Sequence, residues 1–413
     1  METENKIVCH KRKMEEIYGD EFSKFPLNEL NQDLLERVLS RLPASSFFRL
    51  TPVCKRWKSV TDSPTFKLAC SEIPSRDPWF FMVRSQPHTA HQATVIFDSA
   101  GKNWKKLKNP LLPNPNHDPP TNFIPVAASG GLICFHRAAS DGGGDLIVAN
   151  PITASSRQVP NPQAPILAIA MVSKSEKFKL VSVSGELPYL TFGQFNSITD
   201  QWEESIVLTR KTDGPGKPTT IDDDDHTHYF LSKCGNVVST DIQRSPSKQF
   251  SSFVTVKAGE EVLSFLSSSG TIVSCNLTHG FFFEYPRILP VSSEYSIDLV
   301  EIGGEIYIIL LSEFLESAGL RVWTWDDRIQ TWCQVAAMPP CMSHEFFGKK
   351  ADINCTGAGR QMLVCVNYDD IFRYVMCDLV ANEWVELPEC SGGNDFVSAL
   401  SFEPRIEASV SRK

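Results

Sequence analysis

The chain has 413 residues, with 42% hydrophobic and 22% charged side chains, an ordinary globular mixture from which a packed core is expected. Its formal net charge of −9 and the lack of a basic stretch argue against nucleic acid as the main partner. No apolar run approaches the about 20 residues of a membrane helix, and the charged N-terminus lacks the apolar stretch of a signal peptide, so an intracellular protein of nucleus or cytoplasm, without a membrane partner, is expected.

Residues 1–24 read as a disordered tail; Lys11-Arg12-Lys13 is too short a basic cluster to act as a nuclear signal. A helical module is predicted over 25–72. Leu30, Leu34, Leu35, Val38, Leu39 and Leu42 recur at helical spacing, with Asp33, Glu36, Arg37 and Arg41 on the other face. Asn31 is the expected N-cap, and Pro43 stops the helix. Ser45 or Ser46 would cap a short second helix through Phe47, Phe48 and Leu50. A third follows Pro52 with Val53, Cys54, Trp57 and Val60, and Ser63-Pro64 opens a last one carrying Phe66 and Leu68. A module this small buries too little surface to stand comfortably alone. No cysteine pair or metal spacing is available to staple it, so its apolar side chains call for a partner surface.

The run LNQDLLERVLSRLP…SFFRLTPVCKRWKSVTDSPTF resembles an F-box. Leu34, Leu35, Val38, Leu39, Leu42, Pro43, Arg49, Val53, Cys54, Lys55, Trp57 and Phe66 fall in the family's register, while its opening proline is replaced by Asn31. Leucine stripes at helical spacing are usually core, and by periodicity alone 30–66 reads as a helical cap on the rest of the chain. The Leu-Pro and Val-Cys-Lys-x-Trp register decides for the F-box. That resemblance implies docking on a Skp-type adaptor, and through it a cullin, by Leu30, Leu34, Leu35, Val38, Leu39, Leu42, Pro43, Phe47, Val53, Cys54 and Trp57.

From Pro78 onward short apolar runs alternate with Gly, Pro, Asn and Asp, the pattern of an all-β domain. Trp104-Lys-Lys-Leu107, Trp332-Cys-Gln-Val335 and Trp384-Val-Glu-Leu387 share one form; Trp202 ends another unit, and Ser156-Arg-Gln-Val159 fills the place with its tryptophan lost. A spacing near 50 residues is that of kelch-type propellers, one four-stranded blade per repeat. Between Trp202 and Trp332 the signal decays to Phe250 and Phe283. The count favours seven blades, with six as the alternative. Gly303-Gly304 should make a tight turn. The segment 79–107 offers only three strands, and residues 396–402 have no unit of their own, so the C-terminal strand is expected to complete the first blade and close the ring. The propeller is predicted over 78–404, with 405–413 as a tail. NPIT at 150–153 and FEPRIEAS at 402–409 add to a resemblance to plant F-box/kelch-repeat proteins.

That resemblance implies a non-catalytic, substrate-recognising subunit of a Skp–cullin–F-box ubiquitin ligase, in which propeller loops hold an unknown target protein. The long connections 84–92, 137–144, 207–226 and 312–319 are the candidate loops. No cofactor and no metal are expected. Asp222 to Asp225 with His226 and His228, and His88 with His91, read as solvated loops rather than ligands. The twelve cysteines include no C-x-x-C pair and read as free thiols of a reducing compartment. The sequons at Asn276 and Asn354 carry little weight without a secretory route. Two other readings stay open: a propeller enzyme or lectin-like binder whose helices are merely a cap, and a ligase-independent scaffold that sequesters the adaptor.

Overall fold

The computed structural model describes residues 30–84, 94–107, 123–138, 144–162, 164–174, 177–211, 228–231, 237–240, 242–268, 270–286, 288, 295–314, 317–390, 393 and 395–410. The tail 1–24 therefore lies outside the described residues, as do His88, His91 and Asp222 to His226.

Four short helices come first: α1 (Gln32–Ser40), α2 (Ala44–Leu50), α3 (Lys55–Val60) and α4 (Pro64–Ser71). All the long strands follow. They fall into antiparallel groups of four. The second group is Ile124–Ser129, Leu132–Ala138, Gly144–Ala149 and Ser156–Val159. The third is Ala168–Lys174, Lys177–Glu186, Tyr189–Asn196 and Gln201–Trp202, and the fourth Ser251–Lys257, Glu260–Leu266, Ile272–Asn276 and Phe281–Glu284. The fifth is Tyr295–Ile302, Glu305–Phe314, Ser317–Asp326 and Thr331–Ala337, and the sixth Asp352–Ala358, Gln361–Tyr368, Ile371–Asp378 and Glu383–Glu386. The first group has Trp79–Arg84, Thr94–Asp98 and Asn103–Leu107 from the start of the domain, and takes its leading strand from the other end. Phe396–Phe402 runs antiparallel to Trp79–Arg84, Trp79 opposite Phe402. The leading strands touch in cyclic order, second to third to fourth and so on to the first and back to the second. Among the described residues the leading strands thus form a closed circle.

Among the described residues there are six such groups, where a 50-residue spacing favoured seven. The difference lies at 203–250. Ile206–Arg210 bridges the third and fourth groups, antiparallel to Leu190–Phe192 and parallel to Phe281–Phe282. A short hairpin, His228–Leu231 with Val237–Thr240, follows. Among the described residues this stretch adds no further group of four strands.

One local device recurs in all six groups, at the turn between third and fourth strands. Asp98, Asn150, Asn196, Asn276, Asp326 and Asp378 each accept, through Oδ1, a hydrogen bond from the backbone N–H two residues on, at 2.8 to 3.1 Å. Four residues after each stands a left-handed residue, Lys102, Ala154, Asp200, Gly280, Gln330 or Asn382, with φ between 47° and 68°. Six residues after the Asp or Asn comes the outer-strand position of Trp104, Ser156, Trp202, Phe282, Trp332 or Trp384. Asn and Asp suit the first place because a short side-chain acceptor can mimic a backbone carbonyl. Several of the tryptophans then latch neighbouring groups: the indole N–H of Trp104 donates to Pro388 O at 2.7 Å, that of Trp202 to Pro160 O at 2.6 Å, and that of Trp332 to Pro286 O at 2.7 Å.

The two ends of the ring differ. Where the helices pack, connections between strands are short, from two residues (Gly303-Gly304, φ 64° and 87°) to six (150–155). Every connection longer than six residues leaves from strand ends on the opposite, open face, the stretches around 85–93, 108–123, 203–250 and 338–351 among them. The connections read as 137–144 and 312–319 are shorter than expected, because Leu132–Ala138 and Glu305–Phe314 extend further as strands and leave 139–143 and 315–316.

Candidate docking site on the helical module

Helix α1 begins as its sequence dictates. The Asn31 side chain accepts from the Asp33 N–H at 3.4 Å, and at α4 the Ser63 hydroxyl accepts from the Phe66 N–H at 3.5 Å, with Pro64 in the first turn. Helix α2 differs: Pro43 is its N-cap, without a side-chain cap bond, and the Ser45 hydroxyl reaches Asp98 of the β domain instead.

The helices close over Leu35, Leu39, Phe47, Val60, Phe66 and Cys70, with the Phe47 and Phe66 rings stacked at 5.1 Å. Three residues expected on a docking surface, Leu35, Leu39 and Phe47, are thus the module's own core, 1 to 3% exposed. Glu36, expected on the polar face, is buried too. Its carboxylate accepts from Thr65 Oγ1 at 2.5 Å and from Gln32 Nε2 at 2.9 Å. Burial pushes this carboxyl up, but the hydrogen bonds from Thr65, Gln32 and Ser63 hold it below its ordinary value. It ties α1 to α4.

Leu34 and Val38 are left outside, 54% and 52% exposed, one helical turn apart on α1. Pro43 is exposed beside the end of α1, and Leu30, Leu42, Cys54 and Trp57 are half-buried around the core. Val53 ends the 3-10 turn Thr51–Val53 between α2 and α3. Arg56 binds the Leu30 carbonyl and, at 3.3 Å, Gln32 Oε1, fixing α3 against the start of α1. Two bulky aliphatic side chains half in water on a capped helix suit an apolar partner surface.

The module sits on the ring. Ala44 and Phe48 pack on Trp79, Phe81, Ile96, Phe135 and Phe402. Arg76, in the linker after α4, donates to the carbonyls of Ser40 at 3.1 Å and Leu42 at 3.4 Å.

The sequence reading missed a second polar centre. Ile242–Arg244 pairs parallel to Tyr295–Ile297 on the inner edge of the fifth group, and Ser245–Phe250 crosses the ring's open-face mouth. Asp298, fully buried, accepts from Lys248 Nζ at 2.7 Å, Ser251 Oγ at 2.6 Å and the Cys355 N–H at 2.6 Å. Asp352 accepts from Ser245, Ser247 and Ser296. Burial raises its carboxyl above the ordinary range, the Ser245 and Ser296 bonds oppose this, and nearby Asp298 adds to the rise. Gln249 Nε2 lies 2.8 Å from His136 Nδ1. Below this plug is a cavity of about 240 Å³, lined by all six leading strands, Lys248, Ser251, Thr356 and Ser401 among its polar residues. The signal was RSPSKQF, polar residues inside the decayed part of the repeat.

Among the described residues no cluster of His, Cys, Asp and Glu could hold a metal ion, and no helix is long and apolar enough to cross a membrane. Among the described residues the cysteines form no disulfide. Both sequon asparagines are buried, their side-chain N–H groups donating to Glu260, and to Ser247 and Val397.

Comparison with known proteins agrees with the module's geometry. The F-box domain family matches residues 27–69. F-box only protein 13 of Arabidopsis thaliana is 49% identical over 406 residues, covering 94% of this chain and 86% of its own length. F-box only protein 6 of the same plant is 26% identical over 380 residues, 88% of this chain and 70% of its own. An F-box/kelch-repeat protein of Arabidopsis thaliana is 34% identical over 134 residues, 32% of this chain and 30% of its own.

Proposed function

The chain belongs to the plant F-box protein family, and from that premise we propose that it is the target-recruiting, non-catalytic subunit of a Skp–cullin–F-box ubiquitin ligase. The observation that carries this reading is the pair Leu34 and Val38, exposed on α1 inside the F-box match. We read Leu34, Val38, Leu42, Pro43, Cys54 and Trp57 as the surface that meets the Skp-type adaptor, with Leu35, Leu39 and Phe47 shaping it from below. The cullin is reached through that adaptor. The β domain is read as a kelch-like propeller of six blades, supported by the six Asx-turn units and by the cyclic contact of their leading strands. Its open face, where the long connections leave, is read as the side that holds a target protein, because a closed scaffold can vary its loops without disturbing its core. The protein would act in nucleus or cytoplasm.

The test is co-purification of the full chain with a Skp-type adaptor, beside the variant Leu34→Asp/Val38→Asp. Capture by the native chain and at least a tenfold loss in the variant, with unchanged melting, is the expected result. A native chain that leaves the adaptor in solution overturns the reading. The cavity of about 240 Å³ in the ring favours a second one, a propeller that binds a small polar molecule and has no adaptor; the same experiment separates the two.

A further inference from the structure

The sequence reading ends the propeller at 404 and leaves 405–413 as a tail. In the structure Glu403–Val410 is continuous with the ring-closing strand and runs along the seam between the two bodies. The Arg405 guanidinium donates to the carbonyls of Ile73 and Pro74, both at 3.0 Å, in the linker that follows α4. Glu403 and Glu407 hold that guanidinium from the other side, at 2.6 and 3.0 Å. Asn150 Nδ2 grips the segment's backbone, donating to Arg405 O at 2.9 Å and Ala408 O at 2.8 Å.

Its apolar side chains are divided between the bodies. Ile406 packs into the helical core with Leu35, Leu39 and Phe47, whereas Ala408 and Val410 are buried among Val126, Leu132, Cys134 and Leu146 of the second group. The passage is tight. A Cβ at Gly131, where φ is +88°, would lie 2.6 Å from the Arg405 Cβ, so the seam requires glycine there. The apolar floor under Ala44 and Phe48 also includes Leu400 and Phe402 of the closing strand.

We propose that Glu403–Val410 is a splint, with Arg405 and Ile406 as positioning residues, which locks the helical module at one attitude on the β domain and does so only once the last strand has closed the ring. The module precedes the β domain in the chain, yet part of its seat is built from residues that follow the ring-closing strand. A chain that lacks them keeps its module on the ring only through residues 72–78, the Ser45–Asp98 bond and the packing of Ala44 and Phe48. The consequence for function rests on the ligase reading. A rigid arm holds a target's lysines at a restricted set of distances from the site of transfer, while a flexible tether spreads them.

Two readouts separate the splint from the ligase reading. Encoded azide residues in place of Glu72 and Val380, both exposed, carry a donor and an acceptor dye on the full chain. One narrow single-molecule transfer distribution is expected, broadened in Arg405→Met and broader still in a chain ending at Phe402. In a reconstituted ligase, the native chain should modify few of its own β-domain lysines. Arg405→Met should spread the modification over more of them, with adaptor affinity within twofold of native. Unchanged distribution width and an unchanged lysine pattern overturn the splint. If the native chain fails to engage the adaptor, the ligase reading falls, and dye transfer still decides the splint. Should the shortened chain not fold, Cys70 reports instead. Burial, with the Glu407 carboxylate adding to it and Arg76 and Arg405 opposing it, pushes this thiol up to about 11, so a faster reaction in the variant has to come from exposure and not from the lost charge. It should resist alkylation at pH 8 in the native chain and react at least tenfold faster in Arg405→Met; equal rates overturn the proposal.

Discussion

The helical module and the β domain hold together on opposite plans. The module closes over six buried side chains and borrows Ile406 from the far end of the chain; nothing in it is repeated. The β domain repeats one turn, one left-handed residue and one outer-strand position six times, then joins its ends through a single strand pairing. Lesions of equal size should therefore differ in reach. In the module they spread to the whole body, and in the β domain they stay within one group unless they strike the shared centre.

The largest effect expected is at that centre. Asp298→Ala would leave the Lys248 ammonium buried without its counter-ion, and losing one partner of a buried pair costs about 3–5 kcal/mol. Thermal unfolding should show the β domain destabilised by that much, with a large part recovered in Asp298→Ala/Lys248→Met. A double variant no better than the single one would mean that Asp298 acts through Ser251 and the Cys355 N–H rather than through the ion pair.

Next comes the module. Leu35→Ala removes a core side chain at a cost of about 2–5 kcal/mol, a large fraction of what a body this small can hold. Adaptor capture should vanish together with the module's protection from hydrogen exchange, while the β domain melts as before. Leu34→Asp, one residue away, should lose capture and keep that protection. If both variants behave alike, core and docking surface are not distinct.

This contrast was only half legible in the sequence. Helical spacing groups Leu34, Leu35, Val38 and Leu39 on one apolar stripe, and a stripe about 100° wide cannot say which edge meets the module's own core and which meets water. The structure draws that line between Leu34 and Leu35. The caps at Asn31 and Ser63 were readable because they depend on neighbours in the chain. Ile406 was not, being a contact between residues more than 300 positions apart. In the β domain the tryptophans give a spacing that blurs when phenylalanine or serine replaces them. The Asx positions 98, 150, 196, 276, 326 and 378 count the six described units, and the interval of 80 residues from 196 to 276 is where their spacing breaks. The strand FVSALSF, surplus at the C-terminus beside a first unit one strand short, could be paired by counting alone.

A smaller effect is expected at the latches. Trp332→Phe keeps the packing with Trp325 and Tyr285 and removes the indole bond to Pro286, worth about 1 kcal/mol. Chemical denaturation should register that loss, with the fifth group as the site of faster hydrogen exchange. Exchange that quickens evenly round the ring would instead make the groups one cooperative unit.

The smallest effect separates units built alike. Asp378 accepts from the backbone N–H groups of Ala381 and Val380, at 3.0 and 2.9 Å, and these bonds hold its carboxyl below the ordinary aspartate range. A depressed folded value means that the stabilisation is present above the unfolded value, about 3.9, and is lost as the pH falls through the folded one. The same holds at Asp98, where burial pushes the carboxyl up but Lys105 and the Gly101 N–H prevail. At Asn150, Asn196 and Asn276 the same acceptor geometry is uncharged and cannot titrate. Asp378→Asn should therefore preserve the turn at pH 7, with stability changed by well under 1 kcal/mol as befits a partly exposed group, and flatten the acid limb of the stability curve below pH 4. Asp378→Ala should lose the turn at every pH. A curve equally steep in acid for Asp378→Asn and native chains would assign the acid sensitivity to the buried carboxylates, and leave the Asx turn with a purely geometric role.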